Sequence, residues 1–146
     1  MITKFVLLFI VGIGGLEAFS YVLHRWLFHG LLWPIHRTHH LPRRGMFELN
    51  DVFSLFFASL ASSLLIFAPV PLMASWQFPL GLGVAVYGLL YFVAHDLFTH
   101  RRWLPFKHHN ATLNRVRRAH QRHHQSVTKE GQEPFGLFWF SKGSNK

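Results

Sequence analysis

The chain has 146 residues, of which 50% are hydrophobic and only 14% are charged, against about 25% charged residues in an average soluble domain. The absence of cysteine excludes disulfide frameworks, thiolate-bound metals and cysteine nucleophiles. Lys and Arg outnumber Asp and Glu by 15 to 6, which is typical of proteins that bind nucleic acid or an anionic membrane surface. Because the apolar content is high, we favour the membrane and expect no nucleic-acid partner.

Three apolar segments predict membrane-spanning helices, at residues 5–23, 52–68 and 80–98. A span needs about 20 apolar residues, so the second and third segments are short. A fourth span is an alternative if the apolar connector at residues 69–79 is partly helical. The first segment also resembles a signal peptide, but Glu17 interrupts it and no clear A-x-A cleavage site follows. We therefore expect it to be retained as a span.

The basic residues predict the orientation of these spans. Only Lys4 precedes the first span, and the connector at residues 69–79 contains neither Lys nor Arg. All other basic residues follow the first or the third span, and three spans place both regions on one side. Because basic loops stay in the cytoplasm, the N-terminus is expected to face outward. The predicted fold is all-α: a single membrane-embedded domain (1–146), a bundle of three to four spans and a cytoplasmic histidine-rich cap (24–51 and 99–146).

Ten of the 12 histidines form four boxes, which recur in the same order in each half of the chain. An HX4H box, with four residues between two histidines, is followed each time by an HX2HH box. The boxes are His24 and His29; His36, His39 and His40; His95 and His100; and His120, His123 and His124. Each HX4H box lies where a span ends on the cytoplasmic side, so we expect all four to converge at the membrane surface. Outside the boxes, His108 and His109 are expected to be exposed residues of a basic loop.

The spacing within the boxes predicts metal ligands. Positions i, i+3 and i+4 share one face of a helix, so each HX2HH box can project in one direction. Positions i and i+5 are about 140° apart on an ideal α-helix. Either the two histidines of an HX4H box serve different metals, or the helix unwinds after His29, where Gly30 is a natural stop. Neutral imidazole suits Zn, Cu, Fe and Ni, and ten imidazoles predict two ions with four or five nitrogens each.

Acidic residues near the boxes are candidates for holding a ligand histidine by a hydrogen bond. Glu17 lies about two helical turns before His24 and on the same face. An acid inside a span usually faces the bundle interior, so Glu17 bonds either a box histidine or a neighbouring helix. The candidates are Glu17, Glu48, Asp51 and Asp96.

The other three acids each have an alternative role. Asp96 directly follows a box histidine, and adjacent residues on a helix do not face each other. It is therefore expected to serve a different histidine or an arginine, with Arg101 and Arg102 as candidates. Asp51, or the asparagine before it, is alternatively the N-cap of the second span. Glu48 is alternatively an ordinary surface acid.

With these residues in view, the chain resembles the bacterial β-carotene 3-hydroxylases, within the fatty acid hydroxylase and sterol desaturase superfamily. The order of the boxes marks the superfamily. The carotenoid branch is indicated by PRRGMFELND at residues 42–51, YGLLYFVAHD at residues 87–96, KEG at residues 129–131 and FG at residues 135–136. The resemblance runs from about Glu17 to Phe138.

The resemblance implies a non-haem di-iron monooxygenase of the bacterial plasma membrane. Its substrate is a carotenoid in the bilayer, and with O2 it hydroxylates the β-ionone ring at C3, converting β-carotene through β-cryptoxanthin to zeaxanthin. The ten box histidines are then the ligands of two Fe ions. Electrons come from a reduced ferredoxin or a similar carrier.

Three alternatives predict different properties. Another histidine-box oxygenase, such as a carotenoid ketolase, a fatty acyl hydroxylase or a desaturase, makes a different product. A haem protein has single histidines deep within facing spans, whereas the histidines here crowd at span ends. A membrane metal-binding protein or transporter binds metal without consuming O2, and polar residues for an ion path through the spans are few.

Overall fold

The computed structural model describes residues 1–42, 45–103 and 110–139, and within these ranges the secondary structure is helical, with no β-strand. The predicted all-α class is confirmed for this part of the chain. His108 and His109 lie outside the described residues. In chain order the elements are α1 (Ile2–Val22), continued by the first π-segment (Leu23–Leu31); α2 (Trp33–His40); α3 (Asp51–Ile66); a 3₁₀ turn (Leu72–Ala74); α4 (Gln77–Tyr91), continued by the second π-segment (Phe92–Thr99); and α5 (Ala111–His123).

Helix α4 lies between α1 and α3 and packs against both. Glycines allow this close approach. A Cβ atom at Gly12 of α1 would lie 2.6 Å from the carbonyl oxygen of Leu80 and 2.9 Å from the Cα of Gly83. On the other side of α4, a Cβ atom at Gly81 would lie 2.7 Å from the Cβ of Leu64. Small residues at such contacts are the usual means by which helix backbones approach within a membrane.

Two helices of the described chain are long and apolar enough to cross a membrane, Ile2–Leu31 and Gln77–Thr99. They contain the predicted spans at residues 5–23 and 80–98. Helix α3 corresponds to the predicted span at residues 52–68, but its 16 residues extend only about 24 Å. Between α3 and α4 the 3₁₀ turn has three residues, too few for a fourth span. The total number of spans stays a prediction.

The two π-segments contain the HX4H boxes. In a π-helix each N–H bonds the carbonyl five residues earlier, and here the N–H of His100 bonds the carbonyl of His95 at 2.9 Å. Residues five apart therefore lie above one another, as residues four apart do in an α-helix. The first segment breaks at Gly30, whose φ of −111° and ψ of −112° are not helical, and α2 then begins at Trp33. The geometry agrees with the interpretation in which the helix ends after His29.

Candidate metal centre

The ten box histidines lie in two adjoining clusters where α1 and α4 end. The first cluster contains His24, His29, His36, His40 and His123, with one nitrogen of each within 4.8 Å of the others. The second contains His39, His95, His100 and His120 at the same spacing, and His124 completes it, with its Nε2 2.8 Å from that of His120. The clusters touch, because the rings of His40 and His124 stack with centroids 4.4 Å apart.

Each half of the chain builds one cluster and gives one histidine to the other. The HX4H box and the i, i+4 pair of the HX2HH box stay within one cluster. The remaining histidine of each HX2HH box points across, His39 from α2 into the second cluster and His123 from α5 into the first. The repeat of the sequence is therefore a reciprocal exchange, and neither half contains all five histidines of a cluster.

The imidazole rings turn their Nε2 atoms toward one another. The distances between Nε2 atoms are 3.0 Å for His24 and His36, 3.2 Å for His36 and His40 and for His29 and His123, 3.1 Å for His39 and His95, and 2.9 Å for His100 and His120. These atoms converge on the interior of each cluster, which is the geometry of nitrogen ligands around an ion.

In the first cluster every outer Nδ1 faces an oxygen atom. Four of these oxygens are backbone carbonyls, spaced three residues apart in the strap, which is residues 126–135 after α5. His40 donates to Ser126 at 2.8 Å, His29 to Lys129 at 3.1 Å, His123 to Gln132 at 2.6 Å and His24 to Phe135 at 2.7 Å. The fifth ring, that of His36, donates to Oδ1 of Asn50 at 2.7 Å.

These bonds show that the first cluster fits a metal ion. A carbonyl oxygen only accepts, so Nδ1 carries the proton and Nε2 of the neutral ring has a free lone pair. The Nε2 atoms of His24 and His36, 3.0 Å apart, then have no proton between them. A cation bound by both atoms makes this contact favourable. Because all donors are imidazole nitrogens, the set suits transition metals such as iron or zinc and not Mg²⁺ or Ca²⁺.

Burial keeps the cap histidines uncharged. It lowers the pKa of His36 to about 2, that of His123 to about 3 and that of His40 to about 4. Burial also holds the pKa of His39 and of His120 well below the ordinary histidine value. At neutral pH these rings are neutral, which is the form in which imidazole binds a metal.

Carboxylates face the outer nitrogens of two histidines of the second cluster, His39 and His95. Oε2 of Glu48 lies 2.9 Å from Nδ1 of His39, and Oδ2 of Asp96 lies 3.5 Å from Nδ1 of His95. Asp96 also accepts from Arg102 at 3.0 Å, in agreement with the expected arginine partner. Asp96 also lies near the adjacent His95, which the ideal helix did not predict, but the 3.5 Å separation is longer than a hydrogen bond.

Arg102 joins two of the candidate acids. Its guanidinium donates to both oxygens of Asp51 at 2.6 Å and to the backbone carbonyl of Met46 at 3.0 Å, in addition to Asp96. Burial opposes the ionisation of Asp51, but the bonds from Arg102 lower its pKa, and bonds to Asp51 raise the pKa of Arg102. The bonds described for Asp51 do not reach a histidine, since its Oδ2 accepts from the N–H of Glu48 at 3.0 Å. Asp51 therefore holds Arg102, which in turn bonds Asp96, and does not itself hold a ligand histidine as predicted.

Glu17 bonds a neighbouring helix and the end of the described chain. Its Oε2 accepts from the hydroxyl of Tyr87 in α4 at 2.6 Å. Its Oε1 accepts from the backbone N–H groups of Phe138 at 2.9 Å and Trp139 at 2.8 Å. The bond to a neighbouring helix agrees with one of the two predicted alternatives. The other alternative, a bond to a box histidine, is not seen for His24, because its Nδ1 donates to the carbonyl of Phe135 in the strap.

Sequence reasoning missed two sets of partners. Asn50 was considered only as an N-cap, but its side chain makes no cap bond to α3 and accepts from His36 instead. The strap carbonyls carry no side-chain signal. The glycine at position 131 is the one sequence feature that marks this close approach. In the structure Gly131 has a φ of +62°, and its backbone lies close to the ring of His29.

Replacing Gly131 by alanine is expected to weaken metal binding at the first cluster by roughly 10–100-fold, the usual cost of losing an outer partner of a ligand. The added Cβ would lie 2.6 Å from Nδ1 of His29, and the positive φ disfavours any side chain. The metal bound per chain at limiting free iron measures the effect. Gly45→Ala is the control, because nothing lies within 4 Å of its Cβ position. Equal metal content in both variants would contradict the prediction.

A cavity of about 500 Å³ borders the second cluster. Its lining includes His39, His100, His120 and His124, together with Glu48 and Gln121. From the first cluster only His40 contributes to this lining. Among the described residues, small molecules therefore reach the second cluster more directly than the first.

Comparison with known proteins extends this description. The family model described as "Fatty acid hydroxylase" matches residues 9–141. A protein named "Beta-carotene hydroxylase" from Pseudescherichia vulneris is 39% identical over 140 residues, which cover 94% of this chain and 76% of that protein. A protein of the same name from Pantoea ananas is 39% identical over 135 residues, covering 91% and 75%.

A plant relative, "Beta-carotene 3-hydroxylase 1, chloroplastic" from Arabidopsis thaliana, is 38% identical over 133 residues, with 85% of this chain and 40% of the plant protein covered. No solved structure gives a significant match. The match to the family model and the similarity to the two bacterial proteins confirm the resemblance that the boxes and the additional motifs indicated. The chain belongs to the fatty acid hydroxylase family.

Proposed function

We propose that this chain is a β-carotene 3-hydroxylase, which uses O2 to hydroxylate the β-ionone ring at C3 and converts β-carotene through β-cryptoxanthin to zeaxanthin. The observation that carries the proposal is the pair of adjoining five-histidine clusters, whose Nε2 atoms are directed inward. The family match and the names of the similar bacterial proteins support a hydroxylating oxygenase and a carotenoid substrate.

Two iron ions fit the donor set. The first would be held by His24, His29, His36, His40 and His123, and the second by His39, His95, His100, His120 and His124. Iron supplies the oxidising power to break the unactivated C–H bond at C3, which no acid–base group of the chain can break. A structural zinc would need only four ligands and would close its shell. The chain's own task is to keep the imidazoles neutral, oriented and shielded from water.

The direction of the helices supports three spans. Both α1 and α4 end at the histidine clusters, so the chain must return across the bundle between them. Helix α3 makes this return: it begins at Asp51, which bonds Arg102 near the clusters, and the connector after it reaches the start of α1, where Lys4 donates to the carbonyl of Ala74 at 3.3 Å. The connector lacks basic residues, which favours a cytoplasmic position for the clusters at the bacterial plasma membrane.

Labelling of single cysteines tests this orientation, because the natural chain contains none. Val70 in the connector is 85% exposed, and Gln125 after α5 is also exposed. In intact cells a membrane-impermeant maleimide is expected to label Val70→Cys, and to label Gln125→Cys only after the membrane is opened. The reverse pattern, or labelling of both in intact cells, would contradict the orientation.

Aromatic rings connect the clusters to the apolar part of the bundle. Phe28 stacks on Phe53 with centroids 3.9 Å apart, and its ring lies 5.6 Å from that of His36. Tyr91 lies 4.5 Å from the ring of His95. A carotenoid dissolved in the bilayer can therefore bring its ring to the histidines along apolar surfaces, without crossing the polar cap.

The cap side suits the electron donor. Helix α5 carries His120 of the second cluster on its buried face and presents Arg115 and Arg118 to solvent. A reduced ferredoxin or a similar acidic carrier would be attracted by this charge and would approach the cluster that borders the cavity.

Product analysis in a bacterial host that makes β-carotene tests the function. Expression of the wild-type chain is expected to give β-cryptoxanthin and zeaxanthin, identified by mass spectrometry and chromatography against standards. Expression of His39→Ala at the same level is expected to give neither. A 4-keto product, or an oxidised acyl lipid with unchanged β-carotene, would assign the chain to another oxygenase of the family. Metal uptake without O2 consumption would favour the non-catalytic alternative.

A further inference from the structure

The two clusters differ in the groups that face their outer nitrogens. In the first, all five Nδ1 atoms donate to neutral oxygens, four in the strap and one in Asn50. In the second, the Nδ1 atoms of His39 and His95 face the carboxylates of Glu48 and Asp96. The difference is one of charge, because the rings and their inward geometry are alike.

Other charged groups lie further from the rings. Near the first cluster, the guanidinium of Arg25 is 4.7 Å from the centre of the Phe135 ring, and Glu133 accepts from the N–H of Phe135 at 3.2 Å. Near the second cluster, Arg102 donates to Asp96 at 3.0 Å and to Asp51 at 2.6 Å. Among the described residues, the difference between the clusters is therefore carried by the carboxylates that face the rings directly, those of Glu48 and Asp96.

This charge acts on a bound ion in two ways. A carboxylate that accepts the Nδ1–H of a ligand raises the basicity of the ring and strengthens its bond to the metal. Charges inside a protein also interact more strongly than in water, so a nearby negative charge stabilises the more highly charged state of an ion. Both effects favour the ferric state at the second cluster.

We propose that Glu48 and Asp96 make the two metal positions unequal, so that the ion at the second cluster is bound more tightly and has the lower reduction potential. These acids are positioning residues that act through His39 and His95. The inference rests on the proposed function in one respect, that both clusters bind iron. The position with the lower potential is also the one that borders the cavity, where O2 and the electron donor have the more direct access.

A redox titration followed by Mössbauer spectroscopy tests the inference, with the full chain in lipid nanodiscs and loaded with ⁵⁷Fe. The wild type is expected to show two equal iron populations that are oxidised at different potentials. Glu48→Gln keeps an acceptor for His39 and removes the charge, so it should raise the lower potential and leave the higher one in place. Asn50→Asp puts a carboxylate opposite His36 and should lower the higher potential.

Glu130→Gln is the matched control, since it removes the same charge from an exposed position of the strap and should move neither potential. A single potential in the wild type, or a Glu48→Gln variant that moves both populations or neither, would overturn the inference. If Glu48→Gln does not load iron, Asn50→Asp becomes the deciding variant. An unchanged higher potential in Asn50→Asp would then overturn the inference. Unequal potentials in a chain that makes no hydroxylated carotenoid would leave the inference in place and refute the proposed function.

Discussion

Replacing His36 by alanine is expected to abolish hydroxylation and to remove the iron of the first cluster. The Nε2 of His36 lies 3.0 Å from that of His24 and 3.2 Å from that of His40, so it is a central member of the cluster. Loss of an outer partner of a metal ligand costs about 10–100-fold, and loss of the ligand itself should exceed this range. Hydroxylated carotenoid per cell and iron per purified chain measure the two effects.

Arg37→Ala is the control for His36→Ala, because Arg37 is the next residue of α2 and its side chain is exposed. This variant should retain both products and the full iron content. Helical content and elution volume in detergent establish that His36→Ala is folded. A folded His36→Ala variant that still holds two irons and makes zeaxanthin at the wild-type rate would exclude the ligand role of His36.

Replacing Arg102 by alanine is expected to reduce the free energy of unfolding by about 3–5 kcal/mol, the range found when one partner of a buried ion pair is removed. Arg102 is 2% exposed, and its guanidinium holds Asp51 and Asp96 together. Without it, buried Asp96 and half-buried Asp51 lose their common partner. Arg102→Lys should recover only part of the loss, because an ammonium group cannot make the bidentate contact to Asp51.

Unfolding in detergent micelles by a graded denaturant, followed by helical circular dichroism, measures this change. Arg118→Ala, on the exposed face of α5, is the control and should unfold as the wild type does. If Arg102→Ala and Arg118→Ala had equal unfolding midpoints, the buried network around Arg102 would not contribute to stability. The iron content of Arg102→Ala is a second readout, because Asp96 also faces His95.

Much of the architecture follows from short-range patterns. Apolar runs located the helices, and the i, i+3 and i+4 spacing predicted helices for both HX2HH boxes, which lie in α2 and at the end of α5. The expected convergence of the boxes agrees with the structure, because α1 and α4 both end at the histidine clusters. These predictions succeed because the burial of apolar residues and the periodicity of the α-helix are local properties of the sequence.

The details of the site depend on tertiary geometry that the sequence does not state. The ideal α-helix predicted divergent histidines in each HX4H box, whereas the π-segments align His95 with His100. The split of each HX2HH box between two clusters depends on how α2 and α5 face each other. The partners in the strap are backbone carbonyls about a hundred residues away from His29, so no side-chain pattern marks them.

The reciprocal exchange between the clusters has a consequence for biosynthesis. Four histidines of the first cluster lie within the first 40 residues, but His123 is the last residue of α5, and the four carbonyls that orient the rings follow it. A growing polypeptide on the ribosome therefore cannot complete the second cluster before His124 has been made, nor the first before the strap up to Phe135 has folded back. If the clusters bind iron as proposed, metal uptake is then the last stage of maturation, and a chain stalled before this point has histidines without a defined coordination geometry.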